Sequence, residues 1–173
     1  GYKPNQILTF TNNDEKNKCF IEFLNYYDIK TRLEINMSLV NDKDLVISYS
    51  NIHKIDINNK SKYINFHPGL LPQYKGSLST VHSLINNEKE VGGTWHYMTD
   101  KIDKGNILHQ FKVPIQDKDT AFSLNHKIFD KSLNDLEAIL ELVNLNFQGK
   151  KHEGGNFYNS KFPDISKLDK SLQ

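Results

Sequence analysis

The chain has 173 residues, 37% of them hydrophobic, which is the size and apolar content of one domain with an ordinary core. Its 22 Lys and Arg against 21 Asp and Glu leave a formal charge of +1, and Arg32 is its only arginine, so a basic nucleic-acid footprint is missing and RNA or DNA is not expected as a partner. One cysteine, Cys19, excludes an intrachain disulfide, and no run reaches the roughly 18 apolar residues of a membrane span, so the expectation is a single soluble domain over residues 1–173, in a reducing cytoplasm and without a membrane partner.

In chain order, Gln6-Ile7-Leu8-Thr9-Phe10 reads as a first strand, closed by the turn-forming Thr11-Asn12-Asn13-Asp14. From Glu15 to Tyr27 the apolar residues Cys19, Phe20, Phe23, Leu24 and Tyr27 recur at helical spacing, with Asp14 as a cap. Arg32 to Met37 alternates as a second strand, Asp44 to Tyr49 reads as a buried third, and Tyr63 to His67 is the fourth. Val81, Leu84 and Ile85 predict a helix from Thr80 to Asn86, and Gly92 to Met98 and Ile107 to Val113 alternate as a fifth and a sixth strand. The clearest helix is Thr120 to Phe147, with Leu124, Ile128, Leu133, Leu136, Ile139, Leu140 and Val143 on its apolar stripe and Gly149 after its end. Residues 154–173 read as an extended, aromatic C-terminal tail. Strands separated by helical or long connections predict an α/β fold: a doubly wound, mostly parallel sheet of about six strands with flanking helices.

The fourth strand ends in Asn65-Phe66-His67 and runs at once into Pro68-Gly69-Leu70-Leu71-Pro72; Asp103 follows later, in Ile102-Asp103-Lys104-Gly105. Alternation points Asn65 and His67 to one face, at the carboxyl end of a strand, where open α/β sheets place their ligands. An amide, an imidazole and a carboxylate are the side chains needed to hold a carbonyl oxygen, manage a proton and orient the manager, which points to acyl transfer. Singly, each has a plain structural role: an Asn satisfying a turn, a half-buried His, an Asp preceding a Gly turn.

The stretches Tyr63-Ile64-Asn65-Phe66-His67-Pro68-Gly69-Leu70-Leu71-Pro72-Gln73-Tyr74-Lys75-Gly76 and Gly92-Gly93-Thr94-Trp95-His96-Tyr97-Met98 through Asp103-Lys104-Gly105 to Leu108 resemble the 10-formyltetrahydrofolate-dependent formyltransferases. The resemblance implies a Rossmann-like fold, here abbreviated at its N-terminus, with Asn65, His67 and Asp103 as the catalytic set. It also implies 10-formyltetrahydrofolate as formyl donor, bound against Ile52, His53 and Lys54, an apolar wall of Leu70 and Leu71, and the loop Met98, Thr99, Asp100 and Lys101. The acceptor it implies is a primary amine.

Among acceptors, the turn Thr11-Asn12-Asn13-Asp14-Glu15 lacks the glycines of a phosphate cradle and carries two acids. The tail from Phe157-Tyr158 to Pro163 resembles that of amino-sugar members, so a nucleotide-linked amino sugar is the expected small-molecule partner. An amino-acid or peptide-synthetase type of formylation domain and a non-catalytic folate-binding module are the alternatives. Tyr74, Trp95, Tyr97, Phe157 and Tyr158 are available to stack on a base or sugar, or to fill the core. His82, His96, His109 and His126 have no metal-ligand spacing and are assigned to packing or surface, so no metal is expected. Assembly as a homodimer is left open.

Overall fold

The computed structural model describes residues 8–10, 18–32, 37–41, 44–49, 55, 57 and 61–164. By contacts the chain divides into two compact units, Gly1–Asp42 and Lys43–Gln173.

In the first unit β1 (Leu8–Phe10) lies parallel to β2 (Lys30–Arg32), and α1 (Lys18–Tyr26) forms the crossover that parallel pairing requires. Leu24 is buried on α1, while Phe23, Tyr26 and Tyr27 are exposed. Of the strand predicted from Arg32 to Met37, Arg32 ends β2 and Met37 opens a single turn of 3-10 helix (Met37–Leu39), while residues 33–36 lie outside the described residues. Gln6, Ile7, the turn at Thr11 to Asp14, the predicted helix start at Glu15 and the side chain of Cys19 lie outside the described residues.

The second unit carries, in chain order, β3 (Leu45–Tyr49), β4 (Lys62–His67), β5 (Tyr74–Gly76), α2 (Ser79–Ile85), β6 (Glu90–Tyr97), β7 (Ile107–Pro114), α3 (Ala121–Asn144) and β8 (Asn156–Tyr158). Its main sheet has the order β3-β4-β6-β7, and β5 and β8 form a separate two-stranded sheet. The α/β class read from the sequence holds, but the largest sheet has four strands rather than six among the described residues. The pairings β1–β2, β3–β4 and β5–β8 are parallel, whereas β4–β6 and β6–β7 are antiparallel. Between β6 and β7 only residues 98–106 are available. A parallel return takes a crossover of roughly a dozen residues or more, so this pair is antiparallel.

The pleat of the main sheet separates chemistry from packing. On one face Ile64, Phe66, Val91, Trp95, Leu108 and Phe111 pack with Leu124, Ile128, Ile139 and Val143 of α3, all of them buried. Phe66 is the hub, with ring centroids 5.1 Å from Trp95, 5.2 Å from Tyr49 and 5.7 Å from Phe129. Burying such rings contributes about 1.5–3 kcal/mol each.

α3 opens with a reciprocal cap: Ser123 N–H donates to Thr120 Oγ1 at 3.1 Å and Thr120 N–H to Ser123 Oγ at 3.0 Å. Its buried stripe runs through Ser132 rather than Leu133, which is exposed. Four-residue steps from Leu124 through Ile128 reach 132, and the Ser132 hydroxyl is satisfied there by donating to Phe129 O at 2.7 Å. The helix ends at Asn144, short of the Phe147 expected from periodicity, because Asn146 takes a left-handed φ of 56° that closes it. Beyond it, Asn156–Tyr158 of the expected tail is strand, and residues 165–173 lie outside the described residues.

Candidate active site

On the sheet face opposite the core, β4 and β6 set four polar side chains together. The register pairs Asn65 with His96 and His67 with Thr94, so the alternation that sends Phe66 and Trp95 into the core sends these four outward. Asp103 arrives from the β6–β7 loop in a left-handed conformation, φ 52°, which a short polar side chain tolerates best after glycine. His67, His96 and Asp103 are buried and Asn65 is partly exposed.

The distances define one connected cluster. His67 Nδ1 lies 3.7 Å from Asp103 Oδ2, and His96 Nε2 lies 3.5 Å from Asp103 Oδ1. Asn65 Nδ2 is 3.2 Å from His96 Nε2, so the catalytic set predicted from the sequence is linked through a histidine that was assigned to packing or surface. That assignment is corrected: two positions along β6, Thr94 and His96 mirror Asn65 and His67 on β4, and only the antiparallel register reveals the match.

Hydrogen bonds decide the tautomers. Tyr97 O, 2.7 Å from His96 Nδ1, has only lone pairs to offer, so His96 carries its proton on Nδ1 and accepts at Nε2 from the Asn65 amide. This orients the amide, with one N–H committed to His96 and the other without a partner among the described residues. Likewise Tyr74 O accepts from His67 Nε2 at 2.6 Å, leaving Nδ1 unprotonated and facing Asp103. Ser79 Oγ stands 3.5 Å from the same Nε2.

Burial pushes the His67 pKa below its ordinary value, against the opposing pull of Asp103 and Tyr74 and with help from His96. For Asp103 burial acts to raise the pKa, but the neighbouring His96 and His67 rings and the Gly76 N–H, which donates to Oδ2 at 2.7 Å, outweigh it and hold the carboxyl low. At neutral pH the pair is therefore a neutral imidazole beside a carboxylate. A free amide N–H, a vacant imidazole nitrogen and a buried carboxylate at one spot suit a carbonyl that gains charge while a nucleophile loses a proton.

Comparison with known proteins is decisive at the family level, since the model of the formyl transferase family matches residues 52–140, just over half of the chain and the whole of this cluster. The chain belongs to the formyl transferase family. Over 81 residues it is 38% identical to the GDP-perosamine N-formyltransferase of Brucella melitensis, covering 47% of this chain and 31% of that protein. Over 127 residues it is 35% identical to the methionyl-tRNA formyltransferase of Buchnera aphidicola, covering 72% of this chain and 40% of that protein. The chain thus spans about a third of the length of these curated relatives. Among solved structures, the N-formyltransferase from Helicobacter canadensis in complex with folinic acid and dTDP-3-aminofucose shares the fold, with a TM-score of 0.68 at 23% identity over 92% of this chain and 62% of that one.

The other positions expected from the sequence fall into three groups. Leu71 is buried and Leu70 partly so, and the loop holding them is tied to β6: Leu71 N–H donates to Thr94 Oγ1 at 3.2 Å, and Thr94 Oγ1 donates to Gly69 O at 2.6 Å. Met98, Thr99, Asp100 and Lys101 lie on the loop that carries Asp103; Met98 N–H donates to Tyr63 O at 2.9 Å, and Thr99 to Lys101 forms an exposed turn. Ile52, His53 and Lys54 lie outside the described residues. Of the aromatics offered for stacking, Trp95 is fully buried in the core and Tyr74 is also buried, so both are withdrawn from that role, whereas Phe157 is exposed.

Besides His96, sequence reasoning missed two contacts that belong to backbone, the Tyr74 carbonyl and the Gly76 amide, for which side-chain chemistry leaves no signal. His82 stacks on Tyr158 with centroids 4.0 Å apart, His109 Nε2 lies 3.4 Å from Asp135, and His126 is exposed. Among the described residues no group of three or more His, Cys, Asp or Glu is arranged to hold a metal ion, and no helix is long and apolar enough to cross a membrane.

Proposed function

We propose that this chain transfers a formyl group from 10-formyltetrahydrofolate to a primary amine, and that the amine is carried by a nucleotide-linked amino sugar. The observation that carries the reading is the convergence of Asn65, His67 and Asp103 on one sheet face, with the Asn65 amide turned so that one N–H has no partner among the described residues. The donor set fits a formyl carrier, whose chemistry when bound is to supply an electrophilic carbon bearing a carbonyl oxygen. The free N–H of Asn65 holds that oxygen as charge gathers on it. The unprotonated Nδ1 of His67, beside the ionised Asp103, would take the proton that the attacking amine gives up as its bond to the formyl carbon forms, and the pair would return a proton to the folate nitrogen as that nitrogen's bond to the formyl carbon breaks. His96 keeps the amide oriented. Leu70, Leu71 and the loop Met98 to Lys101, together with Ile52, His53 and Lys54, are the proposed wall for the folate.

The amino-sugar acceptor draws support from the 38% identity to a GDP-perosamine N-formyltransferase over 81 residues. The methionyl-tRNA formyltransferase relative makes the acceptor the point to test. Protein, 10-formyltetrahydrofolate and a panel of nucleotide-linked amino sugars, free amino acids and methionyl-tRNA are incubated separately, and products are read by mass. Gain of one formyl group on an amino sugar is expected. Folate binding with no formylated amine in any arm overturns the enzymatic reading, and formylation of methionyl-tRNA alone overturns the acceptor.

A further inference from the structure

Strand β5 has two working edges. On one, the carbonyl of Tyr74 accepts from His67 Nε2 at 2.6 Å and the amide of Gly76 donates to Asp103 Oδ2 at 2.7 Å. These groups flank Lys75 and leave an extended strand on the same side, so a single strand edge touches both members of the proton-handling pair. On the other edge lies β8, in parallel register Tyr74↔Asn156, Lys75↔Phe157 and Gly76↔Tyr158. Asn156 N–H donates to Gln73 O at 3.2 Å and Ser77 N–H donates to Tyr158 O at 2.8 Å. A strand of three residues has little stability of its own. Its position is set by what holds the far edge.

We propose that Tyr158 is a positioning residue for His67 and Asp103, acting through β5. Its ring stacks on Tyr74 at 5.6 Å with planes 13° apart and on His82 at 4.0 Å, and Asn86 Nδ2 donates to both phenols, at 3.0 Å to Tyr74 and 3.4 Å to Tyr158. The residue whose carbonyl aligns His67 is thus the one on which Tyr158 lies. Two glycines make the approach sterically open. A Cβ on Gly76, φ 89°, would stand 2.0 Å from Tyr158 O, and one on Gly155, φ 71°, would stand 1.7 Å from Pro72 O. Any side chain at either position separates β8 from the loop that carries β5. Loss of the Tyr158 ring frees β5 to drift from the pair, and a shift of about 1 Å at such a site can cost roughly a hundredfold in rate.

The inference rests on the roles given above to His67 and Asp103, so its first readout needs no turnover. The titratable groups facing the His67 ring are Asp103 from the β6–β7 loop and His96 from β6. The full chain, Tyr158→Ala, Tyr158→Phe and Gly155→Val are labelled at the imidazoles, and His67 is titrated by NMR alongside a thermal melt. In the wild type and Tyr158→Phe, which keeps the stacked ring, His67 is expected to titrate below the ordinary value near 6.5. In Tyr158→Ala and Gly155→Val its titration is expected to depart from that of the wild type while a cooperative melt persists, and kcat is expected to fall about tenfold or more with acceptor KM within about twofold. An unchanged His67 titration in both Tyr158→Ala and Gly155→Val overturns the proposal, as does a Tyr158→Phe chain that behaves like Tyr158→Ala. A wild type that formylates no amine sinks the proposed activity, and the imidazole titration still decides the positioning.

Discussion

Asn65 has two amide protons, and His96 takes one of them. The other is the donor that an oxyanion would meet, and removing one such donor costs about 2.7–4 kcal/mol of transition-state stabilisation. Asn65→Ala is therefore expected to lower kcat by about a hundredfold to a thousandfold while folate affinity, measured by titration, stays close to wild type; a change within a few-fold ends the oxyanion assignment. His96 makes a subtler prediction. Its Nδ1–H is held by Tyr97 O, so its Nε2 can only accept from Asn65, and the ring decides which way the amide faces. His96→Leu removes that acceptor, leaving the amide free to turn. A net hydrogen bond of about 1 kcal/mol predicts a five- to tenfold loss of kcat with KM little moved; a KM effect without a kcat effect would mean that His96 touches the acceptor instead of positioning Asn65. Asn65 and His67 were legible because they are neighbours on one strand, with Asp103 in a family-like Asp-x-Gly. His96 was not, because its partnership with Asn65 exists only across the antiparallel pair.

At the scale of elements, the sequence is most readable where a period persists. Alternation over eight residues locates β6 and β7, and the 24-residue α3 declares itself by its stripe. What defeats local reading is the pairing of β5 with β8: each has three residues, and their partners lie some eighty positions apart. No period can emerge over so short a run, and the stability of the pair lies in tertiary contacts. The end of α3 is also non-local in part, since a left-handed Asn146, and not the loss of apolar spacing, stops it. Its start, by contrast, is written in Thr120 and Ser123. Thr120→Ala removes the acceptor for Ser123 N–H and is expected to cost about 1 kcal/mol, which in a chain of this size lowers Tm by roughly 2–4 °C. Differential scanning calorimetry checks it, and an unchanged Tm would show that the Asp119 side chain, which accepts from Ser123 Oγ at 2.7 Å, holds the helix start unaided.

At the scale of the molecule, the titrating groups with shifted values on the acid side push stability in one direction among the described residues. Burial lowers the pKa values of His67, His82 and His152, so between the ordinary value near 6.5 and each folded value the unfolded chain binds protons that the folded chain refuses. Unfolding then takes up protons, and stability is lost as pH falls through that window. Burial acts the other way on Asp103 and Asp119, but His96 for the first, and Lys127 for the second, lead the interactions that leave both carboxyls lowered. Each contributes stability that is present above the unfolded carboxylate range and lost as pH falls toward the folded value. Neither set compensates the other, because a depressed histidine and a depressed aspartate both make the folded state the poorer proton binder. Tm is accordingly expected to fall from pH 7.5 to pH 6 and again to pH 5, followed by calorimetry in buffers of matched ionic strength. His67→Gln removes one of the refused protons, so its Tm is expected to lie below wild type at pH 7.5 and the gap to narrow toward pH 5. A wild-type Tm that is flat or rises on acidification would mean that the imidazoles charge freely in the fold. The buried neutral His67 on which the proton-transfer role depends would then be wrong.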